Sequence, residues 1–260
     1  MTPEYIQRFA GIGRLYGLKG LNHLAESHFM VVGLGGVGSW AVEALARSGV
    51  GKLTLIDGDA VCLSNTNRQL HALTSNYNQL KTVAMAQRVQ LINPEIKIHT
   101  KETFVGRNNV ADLLANFQGV VIDAIDALSP KCCLINEAYL KKIPLVSVGG
   151  CAGRVDITRI KVADLTASRD DPLLMLVRKR LRQNFGFPRK GPFNISAVWS
   201  DEPFIQSTDC AGLPGGKIPE GEELHPNCEW GYGTAAHLSG TFGLAAAGEA
   251  IRLSLLSAQK

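Results

Sequence analysis

Three glycines, Gly33, Gly35 and Gly38, have the spacing G-x-G-x-x-G within VVGLGGVGSW, and Gly36 adds a fourth. The preceding run HFMVVGLG is apolar, as an interior parallel strand is, and a helical pattern begins at Val37. A glycine loop between a strand and a helix lets the backbone approach a phosphate and points helix amide groups at it. The stretch therefore predicts a nucleotide phosphate site.

An acid follows the second strand, KLTLID. Asp57 lies 19 residues after Gly38, where a carboxylate can accept hydrogen bonds from a ribose. The glycines could instead only pack a turn, but the strand, loop, helix and acid all agree on a Rossmann-like nucleotide site. These features fit NAD and ATP equally well.

Residues further along the chain favour ATP over NAD. A helix N-terminus contributes only about 0.3–1 kcal/mol toward an anion, so a triphosphate under attack also needs cations. The stretches SNTNRQ and LKTVAMAQR supply amides and cations at Asn65, Arg68 and Lys81. Asp123 and Asp126 follow a buried strand at the carboxyl edge of the sheet, where one carboxylate could hold Mg²⁺.

Each of these residues also has an ordinary structural interpretation. Lys81 could be a solvated helix lysine, Arg68 could form a surface ion pair, and either aspartate could cap the next helix. Together, however, they place acids, amides and cations around one point, an arrangement that hydride transfer does not require.

The elements that must position these residues alternate between strand and helix from residue 28 to residue 150. This alternation predicts an α/β fold, Rossmann-like and doubly wound, with a mostly parallel sheet. After Gly150, GRVDITRIKVADL alternates with period two, which predicts antiparallel strands at the sheet edge. With no repeat and no clean linker, we predict a single domain over 1–260. Residues 151–260 would elaborate it with antiparallel strands, a basic helix and a C-terminal helix.

The composition restricts the class of protein and the compartment in which it is expected. The 260 residues are 45% hydrophobic and carry a net charge of +4, so a sizeable core is expected and disorder is not. The six cysteines include no C-x-x-C pair, which excludes a zinc site with paired thiolates. With no cleavable apolar signal, a reducing cytoplasm fits best. Charges in the apolar stretch 234–258 favour a buried helix over a membrane span.

The stretches GLGGVGSW, LIDGDAVCLSNTNRQ, LKTVAMAQRVQLINPE and VIDAIDA resemble the adenylating family that includes ubiquitin-activating enzymes and bacterial MoeB and ThiF. The resemblance implies that Asp57 holds the ribose and that Asp126 orients magnesium. It implies contacts with the phosphates from Asn65, Arg68 and Lys81. It also implies a homodimer in which Arg14 reaches into the partner's site.

Over its whole length the chain resembles the tRNA threonylcarbamoyladenosine dehydratases within that family. The resemblance is carried by RFAGIGRLYG, LSNTNRQLHAL, IPLVSVGGCAGRVD, DPLLMLVRKRLR and NCEWGYGTAA. It implies that ATP activates the carboxylate of a threonylcarbamoyl group on an adenosine beside the tRNA anticodon. A nucleophile of the same side chain then closes a ring with net loss of water. tRNA would be the partner, DNA would not, and sulfur-transfer proteins are further candidates.

Two other functions stay open at this point. The adenylating chemistry could act on the C-terminal Gly-Gly of a small sulfur-carrier protein, although the missing paired cysteines speak against it. A nucleotide-binding scaffold or an NAD-dependent oxidoreductase is the third interpretation. Besides ATP and Mg²⁺, a monovalent cation, Na⁺ or K⁺, is a candidate cofactor, since backbone carbonyls can bind one without leaving a motif.

Two further features have both a functional and an ordinary interpretation. Cys228 precedes a glycine-rich turn and a helix start, where a thiolate could serve as a sulfur relay or accept an acyl group, or the residue could be simply buried. A basic run could bind the tRNA backbone or be a solvated face. It comprises Arg178, Lys179, Arg180 and Arg182, with Arg189 and Lys190 beyond.

Overall fold

A computed structural model describes residues 1–205 and 233–258. Its elements are α1 (Pro3–Glu26), β1 (His28–Val32), α2 (Gly38–Arg47), β2 (Lys52–Ile56), α3 (Lys81–Ile92), β3 (Lys97–Lys101), α4 (Val110–Leu113), β4 (Val120–Asp123), α5 (Leu128–Leu140), β5 (Leu145–Val148), β6 (Ile160–Asp164), α6 (Pro172–Asn184), β7 (Ser196–Ser200) and α7 (Ala236–Ser257).

The strands form one seven-stranded sheet in the order β3-β2-β1-β4-β5-β7-β6. All neighbouring pairs are parallel except β7 and β6, so the predicted doubly wound α/β fold with an antiparallel C-terminal part is confirmed. The antiparallel part is smaller than the period-two pattern suggested. Among the described residues it consists of the one edge strand β6, because residues 152–159 form a turn, an irregular stretch and a short 3₁₀ helix, while β7 runs parallel to β5.

The core has two layers, one on each face of the sheet. Helices α2, α3 and α7 cover one face, and α5 and α6 cover the other. The long helix α7 is the expected buried, small-residue helix. A Cβ atom at Gly243 would lie 2.4 Å from the carbonyl oxygen of Val37, so α7 packs directly on the start of α2. No helix in the described part of the chain combines the length and the low polarity needed to cross a bilayer.

The strand order reverses between β1 and β4, and doubly wound folds bind their ligands at such a switch point. Four loops meet at this carboxyl edge, and they contain the residues singled out above. They span 33–37, 57–80, 124–127 and 149–159.

Candidate nucleotide site

The glycine loop is held in a conformation that other residues could not adopt. Gly33 has φ +86°, and a Cβ atom there would lie 2.8 Å from the carbonyl oxygen of Ala124. At Gly38 a Cβ would lie 1.8 Å from the carbonyl oxygen of Gly33. Both glycines are therefore required by close backbone approach.

The loop leads into the N-terminus of α2, which fits an anion. The N-cap residue is Val37, whose side chain cannot cap, and the first turn contains no acidic residue. The first amide groups of the helix are thus not bonded by a capping side chain. Gly35 faces open space, with Gln69 Nε2 the nearest atom at 4.0 Å from a built Cβ, which leaves room beside the backbone.

Asp57 follows β2 directly and connects that strand end to the glycine loop. Its buried carboxylate accepts hydrogen bonds from the Leu34 N–H at 2.6 Å and from the Asp59 N–H at 2.8 Å. The acid therefore lies beside the glycine loop, where the motif places it. The two hydrogen bonds that its carboxylate accepts hold the glycine loop and the start of the following loop in place.

Lys81 begins α3 and forms an ion pair that the sequence analysis missed. Its Nζ lies 2.8 Å from Oδ2 of Asp59, and its N–H donates to the Asp59 carbonyl at 3.0 Å. The lysine is buried and the aspartate half-exposed. The second acid of IDGDA was the only available signal for this pair. Asp59 therefore links the Lys81 ammonium to Asp57, because its own N–H donates to the Asp57 carboxylate.

Arg68 lies against the glycine loop from the other side. Its Cγ would be 3.3 Å from a Cβ at Gly36, and its carbonyl accepts a hydrogen bond from the Trp40 indole at 3.0 Å. Its Nη1 donates to the Ser64 carbonyl at 2.8 Å. Asn65 is buried and accepts from the Cys62 N–H at 3.0 Å, so it shapes the loop that carries Arg68.

The two aspartates after β4 have different environments. Asp123 is fully buried, and its Oδ2 lies 2.9 Å from Nζ of Lys131 and accepts from the Ser147 hydroxyl at 2.8 Å. Burial raises the pKa of the Asp123 carboxyl, and the ammonium partly offsets this rise. Its side chain has no exposed surface here, and contact with a nucleotide stays a prediction.

Asp126 is exposed in the loop between β4 and α5, and it makes no hydrogen bond or ion pair with another described residue. A free carboxylate at this edge fits Mg²⁺, which is usually held by one or two carboxylates together with substrate phosphates. Within the described residues, no three His, Cys, Asp or Glu side chains form a metal cluster, so the phosphates would have to supply further ligands.

Two predicted residues are not found in these loops: Arg14 lies on α1, and Cys228 is not among the described residues. Arg14 is exposed on α1 and makes no hydrogen bond or ion pair within the described chain. Both ends of α1 are anchored at the amino end of the strands, opposite the carboxyl edge. Tyr5 donates to the Gly49 carbonyl, and Ala25 packs on Gly51.

A buried histidine near Lys81 was also missed, since a lone histidine gives no sequence signal. His71 is 1% exposed, and neither ring nitrogen has a hydrogen-bond partner within the described chain. Burial and, to a smaller extent, the charge of Lys81 lower the pKa of His71 to about 4. The imidazole is therefore neutral at physiological pH, so Lys81 and Arg68 supply the positive charge here.

Known proteins resemble this chain in sequence and in fold. The ThiF family profile matches residues 9–259. The tRNA threonylcarbamoyladenosine dehydratase of Escherichia coli K12 is 42% identical over 266 residues, which cover 100% of this chain and 98% of that protein. The Haemophilus influenzae enzyme of the same name is 43% identical, covering 95% and 93% of the two chains. The crystal structure of the E. coli dehydratase TcdA in complex with ATP matches with a TM-score of 0.87 and 40% identity, covering 99% and 98%.

Proposed function

The chain belongs to the ThiF family and, within it, to the tRNA threonylcarbamoyladenosine dehydratases, and on this basis we propose that it activates a tRNA-borne carboxylate with ATP. The carboxylate is that of threonylcarbamoyladenosine, and intramolecular ring closure with net dehydration follows. The observation that carries the proposal is that Asp57 and Arg68 contact the glycine loop, while Lys81 pairs with Asp59, whose N–H donates to Asp57. Full-length similarity to dehydratases, one of them crystallised with ATP, supports this assignment over a carrier-protein adenylating enzyme.

ATP would lie across the switch point. Asp57 would accept from the ribose hydroxyls, and the amides at the start of α2 would face the phosphates. Lys81 and Arg68 would balance the negative charge on the phosphates, with Asn65 supporting the Arg68 loop. Asp126 would hold Mg²⁺, which supplies further positive charge to the phosphate oxygens when it is bound.

The chemistry follows from these positions. A carboxylate is a poor electrophile until one of its oxygens becomes a phosphate-type leaving group. Arg68 and Lys81 would stabilise the negative charge that develops during this activation. Ring closure then needs no external nucleophile, because the attacking atom is tethered to the same side chain and has a high effective concentration.

The direct test is incubation of the protein with magnesium-ATP and tRNA that carries threonylcarbamoyladenosine. Nucleosides released under mild conditions are then analysed by mass spectrometry, and an ATP-dependent loss of one water is expected. Lys81→Met should lower the rate of this loss about 10²–10³-fold, whereas Lys141→Met, at the exposed C-terminal end of α5, should leave the rate unchanged. An unchanged nucleoside despite bound ATP would contradict the proposed reaction.

A homodimer with shared sites accounts for the position of Arg14. Because α1 is anchored at the edge of the sheet away from the glycine loop, the exposed Arg14 is better placed to reach a partner's site than its own. Mixing Arg14→Ala with Lys81→Met would then create one complete site per mixed dimer. Activity above that of either variant alone supports the exchange, and no recovery would exclude it.

The basic helix α6 is the candidate surface for the tRNA backbone. Its N-cap, Asp171, accepts from the Gly150 N–H at 2.9 Å, so α6 begins at the nucleotide edge and runs away from it. None of Arg178, Arg180 and Arg182 forms an ion pair with an acidic side chain in the described part of the chain. A basic helix that starts at the site and whose arginines have no acidic partner among the described residues fits a polyanionic substrate.

Salt dependence tests this surface. If α6 contacts phosphates, log affinity for tRNA falls with log salt by about 0.7–0.9 per neutralised phosphate. Reversal of Arg178, Arg180 and Arg182 to Glu should weaken binding and flatten this slope. Reversal of the exposed Lys97 and Lys101 on β3 is the matched control. Full affinity in the α6 variant would contradict this surface.

Three finer assignments are part of the same proposal. The enzyme would act in the cytoplasm, where tRNA is modified, and a Na⁺ or K⁺ requirement would appear as a dependence of turnover on that ion. A role for Cys228 in sulfur relay or acyl transfer predicts loss of turnover in Cys228→Ala. Unchanged turnover would remove this thiol from the mechanism.

A further inference from the structure

A buried ion pair lies directly beneath the loop that carries Asp126. The Lys131 ammonium and the Asp123 carboxylate are 2.9 Å apart, and both side chains are 0% exposed. A lysine has three donors, and here all three have acceptors. Besides Asp123 Oδ2, they are the carbonyl oxygens of Asp123 at 3.3 Å and Ile125 at 2.9 Å.

These bonds fix both sides of the loop. The Ile125 N–H donates to Asp123 Oδ1 at 3.2 Å, while the Ile125 carbonyl accepts from Lys131. On the other side, the Ala127 carbonyl accepts from the Lys131 N–H at 3.2 Å. Asp126 lies between these two anchored residues and makes no hydrogen bond or ion pair with another described residue. Its position therefore depends on its neighbours.

The pair also decides which acid is available at this edge. Asp123 is the last residue of β4, and Asp126 follows three residues later. Lys131 pairs with Asp123 in the core, while the Asp126 side chain is exposed and accessible to a cation. Because the buried pair is neutral overall, it adds little repulsion toward a metal on the other side of the loop.

We infer that Lys131 and Asp123 are positioning residues, whose buried ion pair places Asp126 and thereby sets the magnesium affinity of the nucleotide site. This inference rests on the proposed role of Asp126. Residues that orient a metal ligand typically change metal affinity 10–100-fold when they are replaced.

Removing Lys131 alone would leave a buried carboxylate without a partner, a change that is strongly destabilising. The test therefore uses the double variant Asp123→Asn/Lys131→Met, which removes both charges together. ATP binding is measured by calorimetry across a magnesium series and again in EDTA. In the double variant, we expect the magnesium concentration that gives half of the full increase in ATP affinity to be about 10-fold higher than in the wild type. The ATP affinity in EDTA should be unchanged. The control is Glu137→Gln/Lys141→Met, which removes a partly exposed ion pair at the C-terminal end of α5.

A second variant keeps the test decisive if the double variant does not fold. Ser147→Ala removes one hydrogen bond to Asp123 and preserves both charges, so a smaller shift in the same direction is expected. Ser200→Ala, also fully buried in the sheet, is its control. An unchanged magnesium dependence in the folded variant would overturn the inference. If Asp126→Asn also leaves it unchanged, the proposed metal role of Asp126 itself fails.

Discussion

Acidification should destabilise this protein through one buried imidazole. His71 is 1% exposed, its ring nitrogens have no partner within the described residues, and its pKa is lowered to about 4 from an ordinary value of 6.5. Between these values the unfolded chain binds a proton that the folded chain does not. The free energy of unfolding therefore falls as the pH drops through this window.

The size of the effect follows from the shift. Each pKa unit is worth about 1.4 kcal/mol, so the full window from pH 6.5 to pH 4 corresponds to roughly 3 kcal/mol. Between pH 7 and pH 5, His71 should account for a loss of about 2 kcal/mol. His28, whose pKa burial also lowers, adds to the total loss. The contribution of His71 must therefore be measured as a difference between two proteins.

The assay is denaturant unfolding of the wild type and of His71→Leu at pH 7 and pH 5. The variant cannot titrate at this position, so it should lose about 2 kcal/mol less than the wild type over this interval. His237→Leu, which replaces an exposed histidine on α7, should keep the wild-type pH dependence. An NMR titration of the His71 ring adds a direct measurement.

Equal losses in the wild type and His71→Leu would refute the reasoning, as would a His71 midpoint near pH 6.5. Either result would mean that water or a partner reaches the imidazole. The outcome also bears on the nucleotide site. If His71 is neutral, the positive charge of that site must come from Lys81 and Arg68.

Two further predictions concern the nucleotide loops directly. Gly38→Ala should abolish ATP binding in calorimetry, because the added Cβ would lie 1.8 Å from the carbonyl oxygen of Gly33. The control Gly248→Ala should bind ATP normally, because its Cβ would meet no atom within 4 Å. Normal binding by Gly38→Ala would contradict the steric argument. Lys81→Met should lower turnover about 10²–10³-fold, the usual effect of removing one charge-stabilising group, with little change in AMP affinity. Removing its partner in Asp59→Asn should have a smaller effect, and an equal loss would mean that Asp59 also contacts the substrate.

Local sequence patterns were sufficient for the fold class and for the centre of the site. Apolar runs, helical periods and the glycine spacing depend on neighbouring residues only, so they predicted the doubly wound sheet and placed Asp57 beside the glycine loop. Gly33 and Gly38 prove to be required by backbone contacts within the predicted turn. The extent of the antiparallel part was less predictable, since a period-two pattern also fits the turn before β6.

The sequence could not determine the different environments of Asp123 and Asp126, nor the partner of Lys81. The pleat of β4 directs Asp123 toward the face covered by α5, where Lys131 meets it, and Asp126 lies beyond the strand in solvent. Lys81 pairs with an acid 22 residues earlier in the chain. Burial and charge pairing depend on groups that are distant in sequence, so the tertiary structure alone decided which carboxylates are committed to the core and which remain available at the nucleotide edge.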